Sequence, residues 1–314
     1  TDYKHIELEG QEVGTQFTNK GSDYRIEVRH AQMGPFAGMV GIQGESFKFA
    51  ALGEEAFVPD TSTRNQAVFA YEEIKRDAWK ISFGARAEKN RIASAGAGSS
   101  GIDRFSAAAE KTFNVSSFSA GLLFKVDSTT SITGSVARSQ RGPVFYELYA
   151  NGPHIATAAY ELGDVNLRQE KSTALDLGVQ WKWGASGKSS AKVGVFANRF
   201  DNFIALRRTG IDRDTEGNAG VTDCGDRTSV QSLCAAGILP EFRYQGVKAR
   251  LTGFEAEAKV RLVDQPYTLD LEMKSDLTRA EDLTHAEPLP RIAPLRFSTA
   301  ALYSSEIGRA SCRE

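Results

Sequence analysis

The residues of this chain that could do chemistry are four histidines, three cysteines and scattered carboxylates. His5, His30, His154 and His285 stand far apart, and no two share the helical spacing of a paired metal site. His154 has Glu161 and Asp164 close by in sequence. Together with His285 they could offer imidazole and carboxylate to a zinc ion, the commoner reading of such residues being ordinary solvated loop positions. No nucleophile is set beside a base, so no enzyme is expected. The Gly-rich stretch Ser94–Gly101 lacks the spacing and the lysine of a phosphate cradle and reads as a flexible loop tip. Cys224 and Cys234 bracket Asp226, Arg227 and Ser229. Outside the cytosol such a pair would close a small loop as a disulfide. A zinc reading of the pair lacks a second Cys or His pair nearby. Arg207, Arg208, Asp212, Arg213, Asp214, Asp223 and Asp226 crowd the same segment, either as a solvated surface or to steer a charged chelate.

Something must position these groups, and composition narrows what. With 41% hydrophobic and 25% charged residues the chain has enough apolar surface to fold. A net charge of -2 supplies no basic field for nucleic acid, which is not an expected partner. No apolar run approaches the roughly 20 residues of a membrane helix, whereas a membrane strand needs only about 9–11. Thr1–Gly10 is charged and alternating rather than a secretory leader, so a start upstream of this frame is expected.

Alternation with a period of two runs through the whole chain. Trp79, Ile81, Phe83, Ala85 and Ala87 share one face, opposite Lys80, Ser82, Gly84, Arg86 and Glu88. Leu175, Leu177, Val179, Trp181 and Trp183 alternate with Asp176, Gly178, Gln180 and Lys182, and Phe254–Leu262 with Glu255, Glu257, Lys259 and Arg261. These are strands longer than those of a typical sandwich, with one apolar and one wet face. Connections alternate too. Met33–Phe36, Glu73–Asp77, Val126–Thr129, Gly184–Ser190 and Val263–Pro266 are short; Phe47–Arg64, Asn90–Asn114, Arg141–Lys171, Arg207–Gln245 and Asp276–Arg291 are long. In an up-and-down barrel this rhythm puts all long loops on one rim, as in outer-membrane barrels. Trp79, Trp181 and Trp183 fall beside short turns, where an interfacial girdle belongs.

The run Gln140-Arg141-Gly142-Pro143-Val144-Phe145-Tyr146-Glu147-Leu148-Tyr149, followed by Gly163-Asp164-Val165-Asn166-Leu167-Arg168-Gln169-Glu170-Lys171-Ser172, resembles TonB-dependent outer-membrane receptors. Arg141, Pro143, Glu147, Leu148, Tyr149, Gly163, Leu167 and Glu170 carry the motif; Asp164-Val165 and Gln169 depart from its usual Asn-Pro and Pro. Phe196–Ile204 and Leu251–Glu255, with Gly253 and Glu255, resemble later strands of the family, and Leu289–Arg296 resembles its Pro-x-Pro entry to a late strand. Gly152-Pro153-His154-Ile155-Ala156-Thr157 and Gly53-Glu54-Glu55-Ala56-Phe57-Val58-Pro59 resemble the zinc-uptake branch.

The resemblance implies an all-β, antiparallel, up-and-down transmembrane barrel, here an incomplete part of one with about 22 strands. It also implies a plug outside this sequence, coupling to the TonB complex through that plug, and location among the lipids of a Gram-negative outer membrane. Zinc or another metal or metal chelate would be the transported ligand, with no resident cofactor. A ferric-siderophore receptor of the same family, a passive porin and a soluble β-rich binding domain are the alternatives. Residues 1–304 are read as barrel wall. Residues 305–314, with Cys312, break the alternation and resemble translated adaptor sequence.

Overall fold

A computed structural model describes residues 1–9, 12–53, 56–97, 103–184, 187–220 and 238–305. Its strands are β1 (Asp2–Glu9), β2 (Glu12–Arg29), β3 (Phe36–Gly53), β4 (Thr61–Lys75), β5 (Trp79–Ser94), β6 (Ala109–Lys125) and β7 (Thr130–Arg141). After the short helix α1 (Phe145–Tyr149) come β8 (Asn151–His154), β9 (Ala159–Leu162), β10 (Glu170–Trp183), β11 (Ser189–Arg213), β12 (Leu239–Val263), β13 (Tyr267–Asp282), β14 (Glu287–Pro288) and β15 (Arg296–Ser305). The wall is a meander: β1 to β7 pair in succession, then β7 with β10, and on through β11 and β12 to β13, whose far side takes β14 and β15. The small β8–β9 hairpin stands off this path, and β9 adds in parallel to the end of β12. The chain is thus part of an up-and-down antiparallel barrel, with β1 and β15 at the edges of the described sheet.

Register fixes the chemistry of the two faces. Lys192 sits opposite Glu257, Glu257 opposite Lys274, Lys259 opposite Glu272 and Arg261 opposite Asp270. Charged residues thus share the inner face, where Lys259 lies 3.0 Å from Asp270. The other face carries Leu175, Leu177, Val179, Val193 and Val195, with Leu177 51% exposed. Apolar rows this long and this open need lipid against them rather than water.

The strands run further than the apolar alternation. The connection expected over Phe47–Arg64 shrinks, because β3 continues to Gly53 and β4 starts at Thr61. That expected over Arg207–Gln245 shrinks because β11 reaches Arg213 and β12 begins at Leu239. Past the apolar band both faces of a strand are free to be polar, so the pattern fades while the backbone ladder continues. Short turns fall where expected. At one of them Asp127 Oδ1 accepts bonds from the Thr129 and Thr130 amides at 2.7 and 2.8 Å. The Trp181 and Trp183 rings lie 4.8 Å apart at the same end of the wall.

Apolar clusters gather at the opposite, long-loop end. One joins Val58, Ile92, Leu148, Tyr149, Leu167, Ile204 and Tyr244; a second joins Ala205, Val247, Ala249, Ala280 and Leu289. These clusters hold the connections that carry the site.

Candidate functional site at the long-loop rim

Gly142-Pro143 ends β7, since proline has no amide to continue the ladder. The chain then turns into α1, whose start is capped by Glu147 accepting the Val144 amide at 2.8 Å. Arg141 clasps Glu147 through both guanidinium ends, at 2.9 and 3.0 Å, and donates from Nε to Glu170 at 2.6 Å. The other Glu170 oxygen accepts the Ile204 amide at 2.8 Å. Both carboxylates are buried. Burial alone would lower the Arg141 pKa, but the bonds to Glu147 and Glu170 raise it above the ordinary value. One cation therefore ties β7, α1, β10 and β11 together.

The turn after β9 is pressed against α1. The Gly163 amide donates to Ala150 O at 2.7 Å and the Asp164 amide to Glu147 O at 2.9 Å. The Asp164 carboxylate is itself used locally, accepting the Asn166 amide at 2.8 Å. Leu148 and Leu167 fill the cluster beneath, and the Tyr149 hydroxyl donates to Ile92 O at 3.2 Å. Burial pushes that phenol up to about 12.

Beside this staple lies a second buried carboxylate. Glu161 on β9 is 2% exposed. His154 Nδ1 lies 2.8 Å from its Oε1, Thr157 donates to the same oxygen at 3.1 Å, and Tyr244 donates to Oε2 at 3.0 Å. The Phe57 ring stacks on His154 at 4.5 Å with 3° between planes. A left-handed residue, Ala158 at φ 50°, turns the chain between His154 and β9. Next to Glu161 opens a cavity of about 430 Å³ walled by Phe203, Ile204, Leu206, Phe242 and Leu289.

Burial raises the Glu161 pKa, but the bonds from His154, Tyr244 and Thr157 outweigh it and leave the group below its ordinary 4.5. A depressed folded pKa means stability that is complete above 4.5 and lost as pH falls through the lower folded value. The β8–β9 hairpin is therefore expected to gain protease sensitivity only below about pH 4.5, and Glu161→Gln should flatten that dependence. Equal cleavage of wild type at pH 4 and pH 7 would contradict it.

His285 belongs to a different cluster. Asp282 is 1% exposed, accepts the Thr284 amide at 2.8 Å, and lies 2.8 Å from His285 Nδ1. Arg207 contacts both Asp282 and His285 and reaches Glu287 at 2.8 Å, so a guanidinium stands where a cation would bind that carboxylate. Of the four residues read as metal ligands, His154 and Glu161 are brought together, while Asp164 caps its turn and His285 pairs with Asp282. Among the described residues no group of three or more His, Cys, Asp or Glu side chains is arranged to hold a metal ion. Cys224 and Cys234 lie outside the described residues.

On β12, an added Cβ at Gly253 would collide with the Leu277 carbonyl oxygen and stand 2.6 Å from the ring of Phe196 opposite, so glycine there admits both. Glu255 faces Gly194 and Asp276 across the two ladders. Sequence reasoning missed Tyr244 beside Glu161 and Asp282 beside His285, and it named Thr157 and Phe57 only as parts of a motif, not as neighbours of Glu161 and His154. Tyr244 and Glu161 are 83 residues apart, and only the placement of β9 against β12 joins them.

A family model described as "TonB dependent receptor-like, beta-barrel" matches residues 2–309. Among solved structures, "Copper transporter OprC" superposes with a TM-score of 0.68 at 15% identity, covering 93% of this chain and 42% of that one. The hemophore receptor HasR of Serratia marcescens, in complex with HasA and heme, gives 0.55 at 17% identity, covering 84% and 42%. Ferric citrate transporter FecA in its unliganded form gives 0.57 at 15%, covering 96% and 42%. At these identities the likeness is one of fold, and the chain spans about 42% of the length of each.

Proposed function

Because the chain belongs to the TonB dependent receptor-like β-barrel family, we propose that it forms wall and rim of an outer-membrane receptor for a metal ion or metal chelate. Uptake would be energised by the TonB complex acting through a plug. The observation that carries the reading is the pairing of a charged inner face with an open apolar outer face along one antiparallel meander, which suits a bilayer-spanning wall around a wet lumen. The three fold neighbours described above are named for copper, for a hemophore with heme, and for ferric citrate, so cargo of the metal class is the reading they favour. No catalytic step is involved; the work is recognition at the rim and passage through the lumen that the wall encloses.

Within that class zinc is the cargo we favour, and His154 the contact. Glu161 holds Nδ1, the arrangement by which a carboxylate orients an imidazole for metal binding through Nε2. His154 Nε2 has no hydrogen-bond partner among the described residues. The full-length receptor should take up labelled zinc only with a working TonB system, and His154→Ala should weaken uptake on the order of tenfold. Copper, heme and a ferric chelate, offered in parallel, rank the cargoes. Unchanged zinc uptake in the variant would remove His154 from the site, and TonB-independent uptake would overturn energised transport.

A further inference from the structure

Three cross-strand pairs near the long-loop end of the wall set cation against cation without a carboxylate for each member; a further opposed pair there, Arg207 with Arg243, has Asp282 and Glu241 beside it. Lys20 of β2 is directly opposite Lys48 of β3, Arg64 of β4 opposite Arg91 of β5, and Arg199 of β11 opposite Arg250 of β12. Like charges directly opposed on one face of an antiparallel pair destabilise it, so their recurrence in three separate ladders calls for a counter-charge.

The face they occupy says where that counter-charge comes from. Side chains two apart along a strand share a face. Lys20 therefore lies with Tyr24, Ile26 and Val28, Arg91 with Ala87 and Phe83, and Arg199 with Val195 and Val193. This is the outer, apolar face, well exposed at Val28, Phe83 and Val195. Arg91 follows Ala87 by four positions and Arg199 follows Val195 by the same number. That is about 13 Å of strand and about 9 Å of height at a tilt near 45°, one headgroup layer above the hydrocarbon. At the other end of the same face stand Trp79, Trp181, Trp183, Tyr267 and Tyr303.

Carboxylates at the level of the cations do only half the neutralising. Asp2 lies 3.5 Å from Lys20, Glu110 2.8 Å from Arg91 and Glu281 2.7 Å from Arg250. In each pair one cation has such a partner. The other, Lys48, Arg64 or Arg199, is exposed and has no ion-pair partner among the described residues. Exposed Arg279 stands one strand over, opposite Thr252.

We infer that this belt is a docking surface for the phosphate groups of lipid headgroups in the leaflet on the long-loop side. Arginine and lysine on a wall already set in lipid meet phosphate at that depth. Guanidinium groups bind it through paired N–H donors, and phosphates between opposed cations remove the repulsion. The inference rests on the barrel reading and is independent of cargo.

The test uses the full-length protein in mild detergent, melted with a bis-phosphorylated glycolipid and with the same glycolipid stripped of both phosphates. The phosphorylated lipid should raise Tm and the stripped one should not. The triple variant Lys48→Gln, Arg64→Gln, Arg199→Gln should lose affinity on the order of a hundredfold. Without lipid it should melt no lower than wild type, because repulsion has been removed, which separates lost binding from lost folding. Arg64→Lys with Arg199→Lys should keep most of the effect. Equal response to both lipids, or an unchanged response in the triple variant, would overturn the inference. Loss of zinc and chelate uptake alone, with lipid binding intact, would count against the receptor reading and support this one.

Discussion

Replacing Arg141 with alanine is expected to loosen the rim by about 2–3 kcal/mol. The substitution leaves Glu147 and Glu170, 6% and 9% exposed, without the cation that clasps both. Breaking a fully enclosed pair costs about 3–5 kcal/mol; the figure is discounted here because the Arg141 side chain is 43% exposed and partly screened by water. The loss should be felt locally. Protease cleavage between β7 and β10 should rise while the β-sheet melting of the full-length protein moves less. Arg141→Lys should recover only part, since an ammonium cannot present the paired fork that Glu147 accepts. Wild-type protease resistance in Arg141→Ala would show that the staple does not hold these segments together.

Gly163→Ala is expected to be at least as damaging although it adds one carbon. An added Cβ would stand 2.5 Å from the Leu148 carbonyl carbon and 2.7 Å from both its oxygen and the Tyr149 nitrogen. All three are backbone atoms, so no side chain can rotate away. The turn after β9 must lift off α1, giving up the amide bonds from Gly163 to Ala150 and from Asp164 to Glu147. A cost of about 2–4 kcal/mol follows from overpacking plus lost hydrogen bonds. Because β9 carries Glu161, the effect should reach the proposed His154 contact, and the zinc uptake proposed above should fall together with rim stability. Gly163→Ala with wild-type protease resistance and uptake would mean the turn can relax without moving β9.

Alternation made the wall legible from sequence, because a strand between lipid and a wet lumen must change polarity at every residue. The rhythm of short and long connections gave the up-and-down order for a similar reason, since each hairpin returns the chain to the same rim. Strand ends were not legible. Beyond the bilayer nothing enforces polarity on either face, so β11 and β12 run on through residues that read as loop.

At the site, the types and spacing of Arg141, Glu147, Gly163 and Glu170 were visible in the sequence, and so was the local neighbourhood of His154 and Glu161. What each residue touches was decided by tertiary structure. Glu147 and Glu170 converge on one guanidinium because β7 pairs with β10. Tyr244 reaches Glu161 only because β9 lies against β12, and His285 meets Arg207 and Asp282 rather than His154 because β11 and β13 flank β12. The cation pairs on the outer face follow the same logic, for every one of those residues is plain in the sequence while its neighbour across the ladder is not. Periodicity is a property of one strand against its surroundings and survives in the sequence. Register is a property of two strands at once, and hydrogen bonding between segments distant in the chain sets it.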